Sequence, residues 1–513
     1  MSAFPWLTTI GLIPAVGSVL LFLLPGEARR SARQIALVLS LVTLALAVVA
    51  TAVAFDVSRA GTFQLTEQAA WIPSFGVTYA LGVNGVGLIM ILLSVILVPL
   101  CILAAWHEGK NRPHQFFAWI LLAEAFMVGV FAARDVFLFY IFFEAMLIPM
   151  YFLIGSFGGP NARHAALKFL IYSLAGGLIM LIGVIALGVQ TIVPGSGIAP
   201  DAFLIDSLVG IQYSSLTVEM WIFVAFFIAF AVKAPMVPVH TWLADAAEQA
   251  PPAVSVLIVG VLDKVGTFGM LVLCLPLFPE ASKWAAPVIA VLAIISIIYG
   301  ALAALAQRDL RRLIAFTSVS HFGFIVLGIF VMTSAGQAGS VLYMVNHGFS
   351  TAGLFLVCGM LMSRWGTATI SEFGGIQRVT PLLAGIFLVA GMSSLALPGL
   401  SSFVSEFLVL VGTFHRWPVA GAFATLGIVL AALYILLTYK KIATGPVRAS
   451  LDGAPDLSGR EKWVLVPVVV ALVGLGFFPK PVLDVINPVI TETMATVGVE
   501  DPAPLLSTQG VDQ

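Results

Sequence analysis

Fourteen apolar runs, each long enough to cross a lipid bilayer, follow one another between residues 4 and 478. A helix needs about 20 apolar residues to span the hydrocarbon core. Inside that core every backbone N–H and C=O must be satisfied by the protein itself. The runs at 4–24, 34–55, 84–106, 114–133, 135–157, 165–192, 218–244, 252–278, 285–304, 310–332, 338–363, 382–414, 418–441 and 462–478 therefore predict an all-α polytopic membrane protein. With 60% hydrophobic and only 10% charged residues, the chain lies far outside soluble usage and holds no stretch that reads as a soluble domain.

The basic residues give the runs a direction. Of the 24 Lys and Arg residues, seventeen, Lys110 among them, fall in alternate loops on one side. Arg59, Arg134, Lys283, Arg416 and Lys480 fall on the other side, and Lys233 and Lys264 fall within runs. Cytoplasmic loops carry the excess of positive charge, so this distribution predicts fourteen helices with both termini on the outer side of a bacterial plasma (inner) membrane. The first run is not a signal peptide, because its positive charges follow it. A net charge of −1 argues against nucleic-acid binding. Cys101, Cys274 and Cys358 stand singly in apolar spans without ligand spacing. No metal, iron–sulfur or phosphate-loop motif accompanies them, so any redox chemistry belongs elsewhere.

Two halves of the chain look alike. At a displacement of 177 residues, YSLAGG (172–177) lies over FSTAGL (349–354), Arg134 over Arg311 and Glu144 over His321. Runs 4–8 and runs 9–13 each contain five spans, and an odd number inverts the second unit relative to the first. The predicted organisation is 1–113 as three N-terminal helices, 114–278 and 279–441 as two five-helix repeats, and 442–513 as a loop, helix 14 and a C-terminal tail. Each repeat contains a break. Pro235 and Pro238 in run 7 deprive the carbonyls of Ala231 and Ala234 of partners, and Pro398 with Gly399 in run 12 does the same to Ser394. These are either simple kinks or the discontinuous helices that mark a midplane site.

A charge at the bilayer centre costs about 2.5–3.5 kcal/mol on insertion scales, so it marks a functional position by default. The embedded groups are Glu124, Glu144, Lys233, His240, Asp263, Lys264, His321, His347 and Glu406. Glu144 lies mid-run with no basic neighbour in sequence, and Lys233 is its natural partner. At about 4 Å and an effective dielectric near 20, such a pair is worth about 4 kcal/mol, enough to bind or release a proton on a desolvated lysine. The pair is either that switch or a static structural ion pair. His321 and His347 read singly as core histidines, and in a row with Lys264 and Glu406 as relay groups. Asp263, turned about 100° round the helix from Lys264, is expected to face other neighbours. Glu124 is either a relay group or a helix–helix hydrogen bond. Trp242 reads as a packing or interface residue, and Asp245 and Glu248 as helix-end charges or part of a proton uptake route.

The segments KAPMVPVHTWLADAAEQAPPAVSVLIVGVLDKVGTFG (233–269), DLRRLIAFTSVSHFGF (309–324) and LPGLSSFVSEFLVLVG (397–412) resemble the antiporter-like membrane subunits of proton-pumping NADH:quinone oxidoreductase, respiratory complex I. The resemblance covers nearly the whole chain. Glu406 after the second break is similar to the M-type branch, where sister chains and cation/proton antiporters usually carry lysine. By that resemblance Glu144 and Lys233 are the switching pair, Lys264 the central carrier, His321 and His347 the middle of the row, and Glu406 the terminal group. It also implies no cofactor on this chain, with flavin, iron–sulfur clusters, NADH and quinone on partner subunits that include the sister L and N types. Two departures stand out. Leu243-Ala244-Asp245-Ala246-Ala247 replaces the family's Leu-Pro-Asp-Ala-His, and Asp263 replaces a usual apolar residue beside Lys264. A subunit of a cation/proton antiporter or membrane-bound hydrogenase, or a passive membrane scaffold, are the alternative readings.

Overall fold

The computed structural model describes residues 4–26, 28–109, 111–193, 197–448 and 453–503. Lys110 and the last ten residues of the C-terminal tail lie outside the described residues. The chain is mostly helical, and every predicted run is occupied by helix. Among the described residues eleven helices are long and apolar enough to cross a membrane, or twelve if one bent pair counts as a single span. The difference from fourteen lies in three runs. The first folds as the short helix Trp6–Phe22, and the twelfth divides at its break into Pro381–Ser394 and Ser401–Arg416. The fourteenth, Gly459–Phe477, turns by 68° into a further helix, Lys480–Val497, where the sequence reading placed only tail.

Among the described residues the helical fold also carries two short strand pairs. Strand Gln64–Ile72 pairs antiparallel with Val77–Val83, and Ile192–Val193 pairs with Gly197–Ile198. Both hairpins occupy connections between spans, where water or protein can satisfy strand edges that lipid cannot. Gly76 makes the turn of the larger hairpin at φ +68°.

Two similar clasps hold the fifth and tenth helical segments. Asp135 accepts hydrogen bonds from the N–H groups of Phe137 and Leu138, and Asp309 accepts from Arg311 and Arg312. Around each aspartate the backbone makes the same short antiparallel bridge. Val136 N–H donates to Phe203 O and Ile205 N–H to Arg134 O, while Leu310 N–H donates to Ala368 O and Ile370 N–H to Arg308 O. This pairing matches Arg134 with Arg308, a displacement of 174 residues, so at this point it replaces the expected match of Arg134 with Arg311. Each clasp satisfies helix-start donors that would otherwise be left unpaired.

The core is built from three helices that are each buried over at least 18 residues: Pro252–Leu277, Leu310–Phe330 and Ser334–Trp365. Around them, Ala162–Gln190, Pro279–Leu305 and Pro418–Ala443 bury one face each and expose Leu178, Ile182, Val288, Val291 and Val429 on the other. Large apolar side chains turned outward on long helices are what a lipid-facing surface requires.

Candidate functional site

The two breaks are local consequences of proline and open backbone toward the buried centre. In the first helix, Leu216–Lys233, the chain leaves helical geometry at Ala234. The Ala231 carbonyl recovers the N–H of Met236 (3.0 Å), and the Val232 carbonyl takes the indole N–H of Trp242 (2.9 Å). Trp242 is therefore a buried packing residue that seals the break. The second break has the same form: Leu397 N–H reaches back to Met392 O (3.0 Å). Gly399 then adopts φ +91°, a backbone state that a side chain would strain. The Ser394 carbonyl freed by Pro398 faces His321.

Glu144 sits in the last turn of Val136–Ala145, directly before the helix is interrupted at Met146. Its carboxylate lies against Gly177 on Ala162–Gln190, where a Cβ would overlap Oε1. That oxygen has no hydrogen-bond partner in the protein. Lys233 is fully buried, and its Nζ also lacks a hydrogen-bond partner. It stands over the rings of Phe143 (4.7 Å to the centroid) and Phe169 (5.9 Å). Glu144 and Lys233 are electrostatic neighbours but form no direct ion pair. The close ion pair expected of them is therefore not formed, and Lys233 is held by ring quadrupoles instead.

Lys264 is the best-connected member of the set. It is fully buried, and its Nζ bonds the Val259 carbonyl (2.5 Å) and His347 Nδ1 (2.7 Å). The carbonyl is available because Ile258–Leu262 is a turn of π-helix. Such turns loosen the backbone ladder and recur at functional sites. The His347 ring stands edge to face with that of His321, centroids 5.3 Å apart. From His321 Nε2 the row continues to the Tyr434 hydroxyl (3.4 Å), and the His321 ring lies 5.7 Å from that of Tyr343. Tyr343 donates to Glu406 Oε2 (3.0 Å). Asn346 ties the same helix to the second break through Ser401 O (2.7 Å) and Ser405 Oγ (3.2 Å).

These groups can pass protons. A neutral imidazole that accepts a proton at one nitrogen can release one from the other, so His347 links Lys264 at Nδ1 to whatever faces Nε2. Sequence reasoning missed Tyr343 and Tyr434. No local signal separates them from packing tyrosines, and both are completely buried.

The remaining expectations divide. Asp263 is fully buried, both its oxygens lack hydrogen-bond partners, and Lys233 and Lys264 are the charges that act on it. His240 lies in the first break with neither ring nitrogen bonded, its ring 5.0 Å from that of Tyr299. Glu124 is fully buried without a hydrogen-bond partner, so the helix–helix hydrogen bond considered for it is not formed. At the helix ends, Asp245 accepts from Lys168 (2.7 Å) and Arg312 (2.7 Å), and Arg312 also bonds Glu248 (2.7 Å). Burial of Asp245 opposes its charge, but hydrogen bonds from Lys168 and Arg312 outweigh this and hold its carboxyl below the ordinary range.

Comparison with known proteins places the chain in context. A family model described as NADH:quinone oxidoreductase/Mrp antiporter, transmembrane, matches residues 133–432. NADH-quinone oxidoreductase subunit M of Mycobacterium tuberculosis is 46% identical, with 98% of this chain and 96% of that protein covered. Among solved structures, a chain of respiratory complex I from Thermus thermophilus with bound NADH superposes with a TM-score of 0.87 at 31% identity, covering 96% of this chain and all of that one. A chain of the Mrp complex from Dietzia shares the fold, with a TM-score of 0.83 at 22% identity.

Proposed function

From a chain that belongs to the NADH:quinone oxidoreductase/Mrp antiporter transmembrane family, we propose a specific proton path. The protein is a proton-translocating, multi-pass membrane subunit of a bacterial NADH:quinone oxidoreductase, and other membrane subunits of that complex are its partners. The path runs from Glu144 and Lys233 through Lys264, His347 and His321 to Glu406. The observation that carries this reading is the contact between Lys264 Nζ and His347 Nδ1, continued by the Tyr343–Glu406 hydrogen bond in a region shut off from solvent. Titratable groups with no structural ion pair, placed in register beside two helix breaks, suit transfer better than scaffolding.

In this reading Lys233 is the switch. Its ammonium rests on aromatic faces near a carboxylate it does not touch, so a small movement of Glu144 changes how well the charge is held. Lys264 is the carrier and Glu406 the terminal group toward the outer side. Oxidation of NADH and reduction of quinone belong to partner subunits that hold flavin and iron–sulfur clusters, and this chain contributes no redox centre. Its neighbours would include the sister L and N types. Both termini would lie outside the bacterial inner membrane, with the Lys168–Asp245–Arg312 cluster on the inner side.

The test is substitution in the assembled complex. Lys233→Ala and Glu406→Gln should each reduce NADH:quinone turnover and proton uptake into vesicles by tenfold or more, with electron input from NADH to ferricyanide retained. Normal turnover and normal proton yield in assembled Lys233→Ala complex would overturn the path. Sodium-dependent transport with normal proton yield would favour a cation/proton antiporter role instead.

A further inference from the structure

Asp263 is a fully buried carboxylate beside Lys264 that the proposed path leaves unused. The carboxylate is completely excluded from solvent, and neither oxygen has a hydrogen-bond donor in the protein. A buried carboxylate without donors is expensive to keep, and nothing in the local packing uses it as a cap or a tether. The charges that act on it are those of Lys264 and Lys233.

Backbone packing explains how one side chain comes between two helices. Pro252–Leu277 presses directly onto the first break: a Cβ on Gly266 would lie 2.5 Å from the Phe230 carbonyl oxygen and 2.6 Å from the Ala234 nitrogen. Gly269 meets the Phe230 ring in the same way. On the opposite side, a Cβ on Gly348 of the His347 helix would lie 3.2 Å from the Gly260 carbonyl oxygen. Glycine notches thus seat this helix against the break of one repeat and the histidine helix of the other. The π-turn ends at Asp263, whose N–H reaches back to Ile258 O (3.0 Å). Successive residues on a helix diverge by about 100°. Lys264 turns to His347, and Asp263, three residues before the Gly266 that meets Phe230 and Ala234, shares the face turned to the first break.

The geometry points to Asp263 as a proton-carrying group that bridges Lys233 and Lys264 through the thickness of one helix. This rests on the path proposed above and adds the station between its switch and its carrier. Lys233 Nζ and the Asp263 oxygens make no hydrogen bond in the resting structure, so the two side chains must first swing into contact. The Lys233 ammonium then gives a proton to the Asp263 carboxylate, breaking N–H and forming O–H, and becomes a neutral amine. The Asp263 carboxyl then gives the proton to the neutral Lys264 amine and returns to carboxylate. One proton moves, no electron is exchanged and no other reactant is consumed. Lys233 then has a carboxylate on either side, Glu144 before it and Asp263 after it.

The experiment uses the assembled complex in native membrane vesicles and compares Asp263→Asn, Asp263→Leu and Asp263→Glu with Lys264→Ala. NADH:quinone turnover, protons taken up per NADH, and redox-triggered infrared difference spectra in the protonated-carboxyl region are measured on each. The expected result is a loss of turnover of at least fivefold in the Asn and Leu variants at normal complex content. Recovery of more than half the activity in the Glu variant and loss of a carboxyl band in the Asn variant should accompany it. Asn or Leu variants within twofold of the parent in turnover and proton yield, with Lys264→Ala impaired, would overturn the bridge and leave the path standing. An unimpaired Lys264→Ala complex would overturn both. Loss of assembled complex in all three Asp263 variants would assign a structural role and also overturn the bridge.

Discussion

Lys264 and His347, 83 positions apart in sequence, meet side chain to side chain at 2.7 Å in the solvent-free centre of the protein. The lysine's other bond is to its own helix, at the Val259 carbonyl, so the histidine is the only side chain bonded to it among the described residues. A long lysine side chain fixed between a π-turn carbonyl and an imidazole has little rotamer freedom.

His347→Phe should therefore separate the carrier from the rest of the row. A charge-assisted hydrogen bond is worth about 1.5–3 kcal/mol, which corresponds to a fall in coupled turnover of about 10- to 150-fold. NADH:quinone rate and proton uptake in vesicles check it, with complex content verified by native gel. Turnover equal to the parent would show that protons bypass this ring.

Tyr343→Phe should remove the hydroxyl that donates to Glu406 while keeping the ring that packs beside His321. A neutral hydrogen bond contributes about 1 kcal/mol, so a several-fold loss of proton yield is expected, smaller than that of Glu406→Gln. A Tyr343→Phe variant more damaged than Glu406→Gln would place the tyrosine itself in the transfer path.

Gly177→Ala should act on Glu144 without touching it chemically. The new methyl would occupy the place of Glu144 Oε1, so the carboxylate must swing away or the helices must part. The expected phenotype matches Glu144→Gln in turnover, and the double variant should be no worse than either single one, since neighbours in one interaction are not additive. Additive losses would show that Gly177 works through packing alone.

Asp245→Asn should cost stability above mildly acidic pH and nothing in acid. The native carboxyl is held below its ordinary value near 3.9, so its contribution is fully present above that value. It is lost as pH falls through the lower folded value. Thermal unfolding of the purified complex should show the variant less stable at pH 7 and the gap closing as the pH is lowered. A gap that widens in acid would mean the sign, and so the clasp with Lys168 and Arg312, has been misassigned.

Much of this protein was legible from the chain because the relevant signals are local. Span length is set against bilayer thickness, proline removes a named hydrogen bond wherever it stands, and a lysine in an apolar run is conspicuous without any knowledge of its partner. The runs, both breaks and the set from Glu144 to Glu406 follow from those rules. The hairpin at 64–83 and the bent terminal helix escaped notice because their signals are weaker than the hydropathy around them.

Tertiary structure alone decided who meets whom. Lys233 does not touch Glu144 but rests on Phe143 and Phe169. Tyr343 and Tyr434 join the row, and Asp263 is buried without a hydrogen-bond partner beside it. Such contacts depend on how closely helices approach and how they are rotated, which here is set by glycine notches at 177, 260, 266 and 348 and a π-turn at Ile258–Leu262. One extra residue in a helical turn rotates everything beyond it by about 100°, and no count of hydrophobic residues along a chain records that rotation.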